Sequence, residues 1–258
     1  MLTLGTDEPV AVAVVEAIHA GDLESLQRLL DEHPGLAAAR LGDDVDGHGD
    51  GDGDGGMSRT LLHVATDWPG HFPNGATIVA ALIEAGADPN ARFVGPHAET
   101  PLHWAASSDD VEVLDALLDG GADIEAPGAV LGGGAPIADA TGFGQWQAAR
   151  RLVERGARTT LPEAATLGLM SRVEASFAGA TPPTPDEVTR SFWGACHGGQ
   201  RQAAEYLLAC GADLDWVGYD GLTPLDAAVR HSHGAGGLVE WLRGRGARSA
   251  GEVSSKRR

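Results

Sequence analysis

The apolar positions of this 258-residue chain fall into short helical periods separated by Gly-containing turns. In the clearest stretch, residues 111–118, apolar residues recur three and four positions apart, which predicts an amphipathic helix. Another helix is predicted just before it, because Thr100 can cap a first turn and Pro101 suits a first helical position. Gly121 follows as the predicted end of this helix pair. The residues predicted to face inward are Leu102, Ala105, Ala106, Val113, Leu114, Leu117 and Leu118.

The same helix pair recurs along the chain at a nearly constant interval. Tripeptides of the type Gly-Ala-Asp or Gly-Ala-Arg, spaced by 35 residues within each run, end the pairs at 86–88, 121–123 and 156–158, and again at 211–213 and 246–248. Helix-opening segments precede them at 60–65, 100–105, 135–140 and 223–228. The segments "TLPE" at 160–163 and "TPDE" at 184–187 are typical capping boxes. One such pair cannot bury its apolar face alone, so the repetition predicts stacked pairs that share a core.

The openings, such as "TPLHWA", and the endings, such as "LLDGGAD", resemble those of the ankyrin repeat over about residues 8–248. The resemblance implies an all-α fold, an ankyrin-repeat solenoid of about seven helix-turn-helix units with short β-hairpin-like fingers, in a single domain over residues 1–258. It also implies that His63 and His103 hydrogen-bond to backbone and Thr groups between neighbouring repeats. The repeats are expected at about 8–40, 58–90, 98–125, 134–158, 159–180, 184–215 and 221–248.

Two segments depart from this pattern. The Asp/Gly-rich stretch within residues 42–57 is expected to be a flexible insert. Its spaced aspartates are similar to the start of a calcium loop, but Leu61 stands where such a loop needs a carboxylate, so no metal site is expected. Residues 249–258 are expected to form a disordered basic tail, which could alternatively touch an acidic surface.

Charge and composition narrow the possible partners. A net charge of −19 repels phosphate backbones, so nucleic acid is not expected, whereas a basic protein partner is. Membrane binding is not expected because no apolar run is long enough to span a bilayer. The start of the chain lacks the basic residues of a signal peptide, so a cytoplasmic location is expected. A monomer without a cofactor is also expected. The single lysine among abundant Ala, Gly and Arg indicates a GC-rich coding sequence and a bacterial-type protein.

The candidate binding residues lie where the resemblance places a concave groove and its fingers. An exposed row is expected through Val64, Trp104, Asp139, Glu163, Gly194 and Ala227. Aromatic and Arg residues nearby are typical of binding hot spots. The residues predicted to bind a partner are Trp68, His71, Phe72, Arg92, Phe93, His97, Trp104, Asp139, Phe143, Trp216 and Tyr219. Packing against neighbouring fingers is the alternative role for some of them.

No phosphate-binding glycine loop, nucleophile elbow or paired metal-ligand spacing is present in the sequence, so an enzyme is not expected. The predicted function is a protein-interaction module, an adaptor or scaffold. One alternative is a small-molecule or enzymatic site around Trp68, His71 and Trp104. Another is a pure assembly role, in which the acidic surface meets a basic subunit.

Overall fold

The computed structural model describes residues 2–42, 56–230 and 236–255, and this part of the chain is mostly helical. The chain divides into two compact units, an N-terminal unit of residues 1–157 and a C-terminal unit of residues 158–258. The single seven-repeat solenoid predicted from the sequence stays a prediction.

The N-terminal unit contains four consecutive helix pairs in its described residues. The first helices α1, α3, α5 and α7 contact one another in turn, and the second helices α2, α4, α6 and α8 form a parallel series of contacts. The pairs are α1 (Pro9–Ala20) with α2 (Leu23–Glu32), α3 (Leu61–Ala65) with α4 (Gly75–Glu84), α5 (Pro101–Ser107) with α6 (Val111–Asp119), and α7 (Pro136–Gly142) with α8 (Trp146–Glu154).

The C-terminal unit repeats this organisation. Helix α11 packs against α9, α12 and α13, and it is the longest helix of the unit in the part that the structure describes. Its core is built around the fully buried Phe192 and Leu207. The helices are α9 (Leu161–Thr166), α10 (Met170–Ala178), α11 (Pro185–His197), α12 (Arg201–Ala209), α13 (Pro224–Arg230), α14 (Gly236–Gly244) and α15 (Ala250–Ser255).

A small three-stranded sheet in the N-terminal unit corrects the all-α expectation. Strand β1 (Thr3–Leu4) runs parallel to β2 (Arg40–Gly42), which pairs antiparallel with β3 (Ser58–Thr60). In register, Arg40 lies opposite both Thr3 and Thr60. Strands of two or three residues are too short to show an alternating hydrophobic pattern, so the sequence carries no period that predicts them.

A Thr–His pair caps α3 and α5 and ties each helix to the next repeat. The His63 Nδ1 atom lies 2.8 Å from the Thr60 hydroxyl oxygen, and its Nε2 atom lies 3.2 Å from the Glu99 carbonyl oxygen. In the next pair, His103 Nδ1 lies 2.9 Å from the Thr100 hydroxyl and Nε2 lies 3.3 Å from the Gly134 carbonyl oxygen. These partners fit a neutral imidazole with its proton on Nε2, which agrees with the role that the resemblance implies.

Other predicted caps and core positions agree with the structure in detail. Both predicted capping boxes form, Thr160 with Glu163 at α9 and Thr184 with Glu187 at α11. The predicted inward residues of α5 and α6 are fully or almost fully buried except Leu118, which is only half-buried. At about 100° per residue, Val113, Leu117 and Leu114 share one arc of the helix surface, and Leu118 lies beyond the edge of that arc.

The predicted Asp/Gly-rich insert lies almost wholly outside the described residues, whereas most of the predicted basic tail lies within them. Residues 43–55, nearly all of the predicted Asp/Gly-rich insert, lie outside the described residues. The predicted tail is ordered over Ala250–Ser255, which forms α15. Its first turn is held because the Ala250 amide donates to the Asp226 carboxylate at 2.8 Å and Ser249 pairs with Glu252. Residues 256–258 lie outside the described part of the chain.

The core assignment of α6 predicts a contrast between two adjacent leucines. Leu117→Ala should lower the free energy of unfolding by about 2–5 kcal/mol, because it removes a fully buried side chain and leaves a cavity. Leu118→Ala is the matched control and should cost less than half as much. Urea titrations followed by circular dichroism measure both values, and equal losses would contradict the assigned inward face.

The buried imidazoles predict a loss of stability in mild acid. Burial lowers the pKa of His63 to about 3 and of His103 to about 4, so the unfolded chain, with ordinary histidines near 6.5, binds more protons. Stability contributed by the neutral rings is therefore complete above pH 6.5 and falls as the pH drops. Lowering the pH from 7 to 5 should reduce the free energy of unfolding by about 2 kcal/mol for each of the two buried rings.

Single His63→Gln and His103→Gln variants test this dependence. Each should lose about 2 kcal/mol less than the wild type between pH 7 and pH 5 in urea titrations at both pH values. His33→Gln, which removes an exposed imidazole, controls for the loss of one histidine. If either buried-histidine variant lost as much unfolding free energy between pH 7 and pH 5 as the wild type, the replaced imidazole would be shown to be protonated in the folded wild-type protein.

Candidate interaction surface

Two long fingers extend from the N-terminal unit, finger 1 over residues 91–99 and finger 2 over residues 126–134. In finger 1 the Phe93 amide donates to the Glu99 carbonyl at 2.7 Å. Val94 forms an antiparallel bridge with Ser58, so finger 1 continues the small sheet. Finger 2 closes on itself through two backbone hydrogen bonds. The Gly128 amide donates to the Gly133 carbonyl, and the Ala129 amide donates to the Gly134 carbonyl. Backbone hydrogen bonds thus fix both fingers in place.

Asp139 is a scaffold residue of finger 2, which corrects its predicted place in an exposed row. Its side chain is fully buried, and its two carboxylate oxygens accept the amides of Val130 at 3.2 Å and Leu131 at 3.1 Å. Burial raises the pKa of this carboxyl group, whereas the two hydrogen bonds from backbone amides lower it. Three other members of the row are also buried: Val64, Gly194 and Ala227.

Two arginines bind finger backbones rather than facing solvent. Arg92, a predicted binding residue, donates from Nη1 to the carbonyls of Ala98 and Pro127, and so links finger 1 to finger 2. Arg40 is 7% exposed and donates from Nη2 to the carbonyls of Ser58 at 2.7 Å and Arg92 at 2.8 Å. Burial lowers the pKa of Arg40. Both guanidinium groups therefore support the fingers.

Trp104 belongs to an aromatic cluster at the base of finger 1. Its ring lies edge-on to His63 with centroids 4.9 Å apart and contacts Phe93 at 5.4 Å. Its indole also lies beside the Glu99 side chain, which is only 8% exposed. Burial raises the pKa of Glu99, and the nearby negative charge of Asp139 acts in the same direction. Phe93 and Trp104 thus make packing contacts at finger 1 and are half-buried, and their predicted role in binding stays a prediction.

The insert after α3, residues 67–74, has a packed part and an exposed tip. Phe72 stacks on His19 with ring centroids 4.5 Å apart, and His71 bonds to Asp110 through its amide and to Ser108 through Nε2. These contacts reach helix pairs on both sides of the insert. Trp68, in contrast, is 81% exposed.

The large apolar side chains left exposed on the insert, on the two fingers and at the end of α7 define the candidate surface. Leu131 lies over Gly142, where any side chain would collide with it, so the tip of finger 2 reaches the end of α7 beside Phe143. His97, also predicted to bind, is exposed on finger 1. The exposed apolar residues of the candidate surface are Trp68, Val94, Val130, Leu131 and Phe143.

In the C-terminal unit, the predicted binding residues Trp216 and Tyr219 contact each other with ring centroids 5.8 Å apart. Tyr219 also lies edge-on to Trp193 at 5.2 Å, and Trp193 donates its indole N–H to the Leu222 carbonyl at 3.1 Å. Trp193 is not among the residues predicted from the sequence to bind a partner. Counting helical positions from the Thr184 capping box to the turn at Gly199 shows a first helix long enough to carry it.

The groove beside His71 bears on the alternative of a small-molecule or enzymatic site around Trp68, His71 and Trp104. An open groove of about 300 Å³ is lined by His71, Phe72 and three carboxylates among its ten residues, but neither Trp68 nor Trp104 lines it. Cys196 is buried, which raises the pKa of its thiol, and Cys210 is exposed and also free. Within residues 2–42, 56–230 and 236–255, no group of three potential metal ligands is found. None of the described helices is long and apolar enough to cross a membrane.

Comparison with known proteins identifies the repeat. Residues 58–92 and residues 98–129 each match the family model of the ankyrin repeat. The first match contains β3, α3, α4 and the start of finger 1, and the second contains α5, α6 and the start of finger 2. Among curated protein sequences, no significant match is found. The chain therefore contains ankyrin repeats, shown for these two segments.

Proposed function

We propose that the chain is a non-catalytic interaction module, an adaptor or scaffold that binds a partner protein through the candidate surface of its N-terminal unit. Ankyrin repeats are generally protein–protein interaction modules, and two of them carry the insert and the fingers that frame this surface. We further propose that it acts as a cytoplasmic monomer without a cofactor.

The observation that carries this proposal is the presentation of Trp68. Its side chain is 81% exposed, although its backbone is held by a hydrogen bond that its amide donates to the Asp67 carboxylate at 2.9 Å. Asp67 is in turn paired with Arg59, and its carbonyl accepts the Gly70 amide. A large apolar side chain on a fixed backbone loses little conformational entropy on binding, and Trp is enriched among hot-spot residues.

Within this proposal we divide the predicted residues into contact residues and supporting residues. In the N-terminal unit, Trp68, His97, Phe143 and the exposed tips of both fingers contact the partner. Trp216 and Tyr219 are proposed as further contacts in the C-terminal unit. The supporting residues are His71, Phe72, Arg92, Phe93, Trp104 and Asp139, whose side chains pack or hydrogen-bond within the N-terminal unit.

A double substitution tests the proposed surface. Trp68→Ala with Leu131→Ser should reduce retention of a specific partner from native lysate at least about tenfold, because two exposed anchors are lost. Retained proteins are identified by mass spectrometry and the pair is rebuilt from purified components. The melting temperature should fall only slightly, since Trp68 is 81% and Leu131 42% exposed and Leu131→Ser loses only the contact over Gly142.

Val229→Ser is the matched control, because Val229 is an apolar residue of the C-terminal unit that is 46% exposed. It should leave retention unchanged. A purified partner that binds the double variant as tightly as the wild type would exclude the candidate surface as its docking site.

A further inference from the structure

The two compact units carry very different charges. The N-terminal unit has 26 acidic and 7 basic residues, a net charge of −19, whereas the C-terminal unit has 11 of each and is neutral. The whole excess of negative charge therefore belongs to the unit that contains the candidate surface. A charge of this size produces a potential that extends about 8 Å from the surface at physiological salt.

The arginines of the N-terminal unit do little to offset this potential. Arg59, Arg151 and Arg155 are held in ion pairs with carboxylates of the same unit. Arg40 and Arg92 donate to backbone carbonyls at the fingers. With 26 acidic groups and only 7 basic ones, most carboxylates of this unit cannot have a basic partner within it.

Acidic groups also lie at the fingers themselves. Glu99 ends finger 1 and Asp139 anchors finger 2, and both are buried, where charges are screened less than at the surface. Asp88 and Asp123 precede the two fingers, and each accepts an amide two residues further along the chain at 2.9 Å. Along the chain, each finger is therefore flanked by a carboxyl group on both sides.

We propose that the partner segment recognised by the candidate surface is cationic, with Arg or Lys residues interspersed among apolar ones. This inference rests on the proposed function. Apolar side chains of the segment bury Trp68, Val130, Leu131 and Phe143, while its cations face the carboxylates around the fingers. Exposed indole faces also attract guanidinium groups, which favours Arg next to Trp68. The negative potential accelerates encounter and excludes acidic competitors.

Three fluorescein-labelled peptides of equal length test the chemistry on the full-length chain. One alternates Arg with Leu, the second alternates Glu with Leu, and the third alternates Arg with Ser. Fluorescence anisotropy should show the tightest binding for the Arg–Leu peptide. Raising NaCl from 50 to 500 mM should weaken that binding about tenfold or more, because the attraction is between exposed charges.

Charge-removing variants locate the effect. Asp88→Asn with Asp123→Asn keeps the side-chain oxygen that accepts each amide and removes two negative charges, so affinity for the Arg–Leu peptide should fall about two- to fivefold per charge. Asp213→Asn is the matched control, since Asp213 accepts the Asp215 amide in the same way within the neutral C-terminal unit. It should leave the affinity unchanged.

The outcomes separate this inference from the proposed function. Equal, salt-insensitive binding of the Glu–Leu peptide that is lost in Trp68→Ala would overturn the cationic partner and keep the surface. Salt-sensitive binding of the Arg–Leu peptide that survives Trp68→Ala with Leu131→Ser would overturn the surface. No binding of the Arg–Leu peptide at 50 mM NaCl, or the same loss in Asp213→Asn as in the double variant, would overturn the inference of a cationic segment on the N-terminal unit.

Discussion

A buried, neutral imidazole that joins one helix pair to the next is the interaction on which the N-terminal unit depends. His63 accepts from its own helix cap at Thr60 and donates across to the carbonyl of Glu99, the last residue of finger 1. His103 repeats the arrangement at Gly134, the last residue of finger 2. Each histidine therefore fixes the base of the finger that follows its repeat, and the exposed finger tips inherit their positions from these buried bonds.

The helix pairs could be predicted from the sequence because their determinants are local. Thr100, Pro101 and the apolar spacing of 111–118 lie within one repeat, and α5 and α6 form where these residues indicate. The fingers could not be predicted in the same way. The bridge between Ser58 and Val94 and the bonds of Asp139 to finger 2 join residues whose register depends on how the repeats stack.

The insert at 67–74 shows the same limit for the candidate site. Its aromatic and polar residues are typical of a binding loop, and nothing in the local sequence separates Phe72 from Trp68. Phe72 is used for packing because His19, more than 50 residues earlier, lies against it. Trp68 has no such ring contact among the described residues and stays exposed. The local sequence therefore predicts a candidate binding loop, whereas the stacking of helix pairs decides which of its residues remain accessible.

The N-terminal unit combines exposed apolar side chains with a concentrated negative charge, and together they restrict which surfaces it can bind. Apolar side chains such as Trp68 and Leu131 favour association with any surface that can cover them. Two copies of the chain that met through this unit would each bring a net charge of −19, and their repulsion opposes self-association. A cationic partner gains the same apolar contact without the repulsion. In the proposed function, charge thus selects which protein is allowed to cover the apolar residues, and burial of those residues supplies the affinity.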